Sequence, residues 1–316
     1  MNKHGFFAHA ILGLTVCLCA GASLFAQQSP PAAGAPVHMV VTVEPHHGAD
    51  VPAVDRGDVM VFEGKARDLV TEWIPAEGDG AALELFILLD DGSDANIGAQ
   101  LESLRQFMDG QAASTKIGIA YMQNGSAKIE QNLTSDHAQA AKALHLPLGS
   151  AGINGSPYFS LSDLIKHWPE SAARREVLMI SDGVDRYYGS GDLLNPYLEA
   201  AIDDAQRTGI LVSAIYTPGV GHFDHDYWQR YWGQLYLSEM ADKTGGESYS
   251  IGFNGAPVSF APYLEDLTHR LNHQYRLTFV ARPRKKAGWQ QIKLRSEVSS
   301  VDLVSADRVY VSAEGK

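Results

Sequence analysis

The chain has only two cysteines, Cys17 and Cys19, among its 316 residues. Both lie in an apolar N-terminal run, so the rest of the chain has no thiol for a disulfide or a thiolate metal site. An exported protein without disulfides needs a hydrophobic core, and 45% hydrophobic residues suffice to build one. Positive charge is scarce too. Lys and Arg total 25 against 37 Asp and Glu, giving a formal net charge of -12. A chain this acidic, with no basic stripe, argues against a nucleic-acid partner. Its basic cluster, Arg282, Arg284, Lys285 and Lys286, precedes Gly288 between two strand-like runs and reads as a solvated hairpin loop. After the first residues no apolar run is long enough to span a bilayer. There is no Gly-x-Ser-x-Gly elbow, no phosphate-binding Gly-x-x-x-x-Gly-Lys loop and no dinucleotide fingerprint. The sequence therefore names no nucleophile or base and implies no small-molecule substrate. A binding protein, not an enzyme, is the expected class.

The N-terminus reads as a leader. Lys3 supplies a positive start, residues 10–24 are apolar, and the chain turns polar at Gln27, Gln28 and Ser29. Residues 1–26 are expected to be a secretory signal peptide. Cleavage after Ala22 follows a small-x-small pattern with Ala20, and cleavage after Ala26 is the alternative. Val16 and Leu18, each just before a cysteine, make poor lipobox residues. Left uncleaved, the leader would be the one membrane contact. The mature protein is expected to be secreted or periplasmic. Residues 27–36, rich in Pro, Ala and Gly, read as a linker.

Three short β-like runs, 38–43, 59–62 and 68–74, fill an N-terminal β segment at 37–80. From Leu83 the pattern changes. Residues 83–89 are nearly all apolar, as in a strand buried on both faces of a parallel sheet. Ile97, Leu101, Leu104, Phe107 and Met108 recur at helical spacing. Residues 116–122 and 127–133 flank Asn124-Gly125 and predict an antiparallel hairpin, with a helix at 137–144. Strands at 176–180, 210–216 and 247–251 then alternate with helices. One is capped by Asn195 and Pro196, one spans 235–243, and one carries Leu264, Leu267 and Leu271. Residues 81–273 thus predict an α/β fold with a doubly wound, mostly parallel sheet. Residues 274–316 add three β runs, 275–281, 290–295 and 301–311. These are expected to pair with the N-terminal runs as a small flanking β domain.

In such sheets ligands bind beyond the carboxyl ends of the strands. Asp90-Asp91-Gly92-Ser93-Asp94 follows the first core strand, Ser181-Asp182-Gly183 a later one, and Gly155-Ser156-Pro157 opens a helix-like run. Such oxygen ligands suit Mg²⁺, Mn²⁺ or Ca²⁺, although Asp, Ser and Gly also make ordinary turns. A second loop, His222-Phe223-Asp224-His225-Asp226, offers imidazoles and carboxylates that suit zinc or iron. Tyr227, Trp228, Tyr231, Trp232 and Tyr236 follow it, and Tyr187 and Tyr188 leave a neighbouring strand. An exposed subset of these rings is a candidate hot spot.

The order of elements, the acidic turn after the first core strand, Ile180-Ser181-Asp182-Gly183 and the helix end Ala241-Asp242-Lys243-Thr244-Gly245-Gly246 resemble a von Willebrand factor type A (VWA) domain. The flanking β runs are similar to those of bacterial exported VWFA-related proteins, in which a Tyr-containing strand, here 275–279, follows the last helix. The resemblance covers essentially the whole mature chain. It implies a metal-ion-dependent adhesion site, Asp-x-Ser-x-Ser, then a Thr, then an Asp. Matched residue by residue, Asp91 and Ser93 fit the first motif, Ala95 lacks an oxygen, Ser156 falls at the Thr and Asp182 at the last Asp. A register starting at Asp90 instead loses both hydroxyls and puts Asp94 last. The implied ligands are Asp91, Ser93, Ser156 and Asp182, with Asp90 and Asp94 as additions. The implied ion is Mg²⁺, Mn²⁺ or Ca²⁺. The implied role is protein–protein interaction or adhesion, with Tyr187, Tyr188, His222, His225, Trp228 and Trp232 facing the partner. Two alternatives stay open: a metal-dependent hydrolase built on His222, Asp224 and His225, and a metal-independent structural protein of the envelope.

Overall fold

The computed structural model describes residues 34–48, 50–150, 152, 154–189, 194–219, 227–250, 259–282 and 284–313. The expected leader, most of the linker, and the loop holding His222, Asp224 and His225 lie outside the described residues. In chain order, β1 (Ala35–Pro45), β2 (Val59–Glu63) and β3 (Ala66–Pro75) lead to β4 (Leu83–Asp90) and α1 (Leu101–Asp109). Next come β5 (Thr115–Gln123), β6 (Ser126–Thr134), α2 (His137–Lys142), α3 (Pro157–His167) and β7 (Arg174–Ser181). They are followed by α4 (Pro196–Thr208), β8 (Ile210–Tyr216), α5 (Tyr227–Thr244), β9 (Ser248–Tyr249) and α6 (Ala261–Asn272). The last strands are β10 (Gln274–Ala281), β11 (Gly288–Gln291), β12 (Lys293–Ser296), β13 (Val301–Val304) and β14 (Arg308–Val311).

The central sheet has six strands in the order β6-β5-β4-β7-β8-β9. Its pairs are parallel except for the β5–β6 hairpin. Asn124 and Gly125 turn that hairpin at φ 50° and 79°, the left-handed values that a tight turn between twisted strands requires. Every residue of β4 and of β8 is buried, which explains their unbroken apolar runs. Period-two alternation then sorts the side chains. Leu85, Ile87 and Leu89 pack with Leu104 of α1, Ala140 of α2 and Leu264 and Leu267 of α6. Phe86 and Leu88 face the other way, onto Leu161 of α3, Ala201 of α4 and Leu237 of α5. This is the expected α/β architecture, with helices on both faces.

A second six-stranded sheet, in the order β12-β2-β3-β10-β1-β13, is antiparallel throughout, and β11 pairs with β14 alone. Val41, Val43, Val59, Val61, Leu277 and Phe279 fill its core. The two sheets are tied at β7. Arg174 there donates to Ala81 O and Leu271 O and bonds Gln274 at the start of β10. The expected runs 290–295 and 301–311 are each split. The chain changes sheet at Ile292, whose N–H donates to Asp307 O at 2.9 Å, so each run contributes one strand to either sheet. Helix α5 starts at Tyr227, well before the expected 235. Its aromatic rings contact one another along the helix at i+3 and i+4, Trp228 edge-on to Tyr231 and Trp232 tilted against Tyr236, which supports the added turns.

Candidate functional site

The site is built at the carboxyl ends of β4, β7 and β8. Asp90 closes β4 and has the same parity as Leu88, so its carboxylate lies on the α3/α4/α5 side. Its Oδ1 accepts from Gly92 N at 2.7 Å and its Oδ2 from Ser181 Oγ at 2.8 Å. Asp182 follows β7. Its Oδ1 accepts from Val184 N at 2.9 Å, and its carboxylate forms a buried ion pair with Arg186. The Arg186 side chain is only 10% exposed, and its backbone N–H donates to Gly155 O at 3.0 Å, beside Ser156. Ser156 caps α3, its Oγ accepting from Phe159 N at 3.4 Å. A cavity of about 10 Å³, the size of one water, lies between Asp90 and the Gly155–Ser160 turn.

Burial first, and then the charge of Asp182, push the Asp90 carboxyl up to about 6. Arg186 and the hydrogen bonds from Ser181 and Gly92 pull in the other direction. The backbone around the pair is tight. Gly219 forms an isolated bridge with Ser93, and a Cβ on Gly219 would overlap Asp182 Oδ2 and crowd Arg186 Nη2. Gly183 turns at φ 68°, and a Cβ there would run into Gly233 O of α5. The next carboxylate, Asp185, holds the following turn. It accepts from Tyr187 N, Tyr188 N and Asn195 Nδ2, and Asn195 in turn caps α4.

Asp91 points elsewhere. Asp90 pairs with Met122 across the parallel ladder, which places Asp91 beside Gln123. Its carboxylate accepts from Gln123 Nε2 and, at 3.2 Å, from Leu148 N, on the α1/α2/α6 side. Of the two aspartates at which the motif could start, Asp90 is therefore the one on the side of Ser181 and Ser156. A strand alternates its side chains, so adjacent carboxylates cannot both face Asp182. Asp94 accepts from Asn96 N and caps the turn that opens α1. Ser93 is 1% exposed, and its Oγ has no hydrogen-bond partner among the described residues.

A resident divalent cation does not fit this arrangement. The guanidinium of Arg186 already lies on both oxygens of Asp182, and a second cation there would meet it at close range. Among the described residues no group of three His, Cys, Asp or Glu is gathered to hold a metal. Neither Arg186 nor Gln123 stands out in the sequence, and Ser181 does so only within the Ser181-Asp182-Gly183 turn. An Arg four residues after an Asp in a loop carries no signal of where its head will lie.

The aromatic candidates fall into two groups around this site. Tyr187, 50% exposed, and Tyr188 contact Tyr197, and Phe159 packs on Tyr187 and Tyr197. Trp228 at the start of α5 is 64% exposed, whereas Trp232, one turn on, is half-buried against Tyr236. His222 and His225 lie outside the described residues.

No family model matches the chain, and no curated protein matches it in sequence. Solved structures align with parts of it. BatB, a conserved hypothetical protein from Bacteroides thetaiotaomicron, aligns at TM-score 0.43 and 14% identity over 60% of this chain and 97% of its own. A von Willebrand factor type A protein from Catenulispora acidiphila aligns at 0.41 and 11% over 91% and 76%. The vWF domain of the type V pili tip protein Mfa5 from Porphyromonas gingivalis aligns at 0.43 and 11% over 64% and 96%. These likenesses are distant. Its own sheet order, with the acidic turns after β4 and β7, is the ground on which the chain resembles a von Willebrand factor type A domain.

Proposed function

We infer that the chain is an exported, non-enzymatic interaction protein that offers the carboxyl edge of its central sheet to a protein partner. One observation carries this reading. Ten large hydrophobic side chains are exposed among the described residues, and six of them lie toward that edge: Leu146, Leu148, Tyr187 and Leu194 on loops, Tyr227 and Trp228 in the first turn of α5. Leu148 is 70% exposed although its own backbone is held by Asp91. Apolar side chains around a buried polar centre are what a protein interface needs, and one whose backbone is anchored, as Leu148 is, loses little ordering entropy on docking. The antiparallel sheet serves as the scaffold, and the leader directs export to the envelope or beyond it.

The test is a photo-crosslinking residue placed at Tyr187 or Trp228, with Ile129 of β6, exposed elsewhere, as the control. The expected result in the producing cell is a discrete heavier species from the first two positions and none from the third. Equal labelling from all three, or none from any, would count against the reading. Fractionation of the same cells tests the export: the mature chain should leave the cytoplasm shortened by its leader.

A further inference from the structure

We propose that Arg186 is a built-in counter-cation, its guanidinium standing where a divalent ion would otherwise bind, and that its removal uncovers a cation site. This does not depend on what the outer face binds. Four observations converge. The carboxylates of Asp90 and Asp182 are both buried, and the Ser181 hydroxyl that donates to Asp90 belongs to the residue next to Asp182. The Arg186 head lies on Asp182, screened from solvent, so the positive charge is supplied from four residues along the same loop. Ser93 Oγ, buried at 1% exposure, lacks a partner among the described residues, and Ser93 bridges to Gly219, which packs on Asp182 Oδ2 and Arg186 Nη2. Ser156 stands across a small cavity from Asp90.

The chemistry follows from the donor set. Two carboxylates and two hydroxyls form an all-oxygen group of net charge −2, which suits Mg²⁺ or Mn²⁺ with waters completing the shell. A guanidinium brings one charge on a planar fork, satisfies one carboxylate in two places, and cannot lose its proton. It therefore holds the loops without exchange, at any metal concentration. In this protein the strand-tip loops are fixed by the chain itself, and chelators should not loosen them.

The experiment uses the full exported chain, Mn²⁺ as probe, and electron paramagnetic resonance together with thermal melting. The unmutated protein should melt at the same temperature with Mn²⁺ or with a chelator. It should show no Mn²⁺ uptake that Asp182→Asn abolishes; such uptake would overturn the proposal. Arg186→Gln should melt lower, bind one Mn²⁺ about tenfold or more tightly than the unmutated chain, and recover part of its melting temperature on binding. A folded Arg186→Gln that gains no Mn²⁺ affinity would overturn the proposal. If Arg186→Gln does not fold, Arg186→Gln combined with Asp182→Asn should restore folding, because the buried negative charge has gone with the positive one. Failure of that double variant would show that Arg186 serves something other than charge balance and would end the idea.

Discussion

Asp90 beside Asp182 and Asp68 beside Glu63 are two carboxylate pairs in two different sheets. In each, burial first and a like charge second push one Asp up to about 6. They differ in how the opposing positive charge is held. Arg186 lies on Asp182 out of water, at the tip of a parallel sheet ringed by helices and loops. Arg282 stands 3.7 Å from Asp68 with more than half its side chain in solvent, just past the end of β10 in the antiparallel sheet. The first cation is a fixed part of the fold. The second is screened and free to exchange for water. The same residue types thus become either a structural element or a surface ornament according to whether solvent reaches the guanidinium.

That contrast is sharpest in the ion pairs themselves. Asp182→Ala leaves the Arg186 charge buried without its carboxylate and is expected to cost about 3–5 kcal/mol in urea unfolding. A cost under about 1 kcal/mol would place it with the solvent-exposed pairs and break the comparison. The pH dependence comes next. Asp90 is raised in the folded state, so its contribution to stability is fully present below about 3.8 and is lost as pH rises through about 6. The size is on the order of 3 kcal/mol for a shift of roughly two units. Subtracting the stability-against-pH curve of Asp90→Asn from that of the unmutated protein should give a step falling between about pH 4 and 6. A flat difference would mean that neither burial nor the Asp182 charge raises the Asp90 carboxyl.

Backbone comparison gives smaller effects. Gly183 and Gly64 have left-handed φ of 68° and 60°, but only Gly183 has a neighbour, Gly233 O, where a Cβ would go. Gly64→Ala should cost about 1 kcal/mol from conformation alone. Gly183→Ala adds overlap and should cost about 1–3 kcal/mol more in the same denaturation assay. The smallest effect is expected for Arg282→Ala, about 0–1 kcal/mol and shrinking as salt is added. If it matches Asp182→Ala, exposure is not what separates the two pairs.

Much of the central sheet was legible. Residues 83–89 and 210–216 read as buried strands because both faces are covered, and they are β4 and β8. Asn124-Gly125 announced its hairpin, and Asn195-Pro196 announced the start of α4, through local backbone chemistry alone. The last strands were not legible in this way. Runs of four residues carry alternation but no record of their partner, so 290–295 and 301–311 read as single strands although each is divided between two sheets. Helix α5 was expected only over 235–243, because its aromatic first turns carry no one-sided apolar stripe to mark them as helix.

At the site, the sequence by itself determined that oxygen-bearing side chains would stand at the ends of β4 and β7, because apolar strands stop where polar turns begin. Which of two adjacent aspartates faces inward was decided by strand parity, visible only once Asp90 had been placed opposite Met122. The position of the Arg186 head was decided later still. A long flexible side chain in a loop adopts whichever geometry the surrounding fold leaves for it, and here its charge comes to rest against Asp182. Local sequence fixes backbone preference and polarity. The pairing of buried charges is a property of the assembled tertiary structure, because its energy depends on which groups exclude water together.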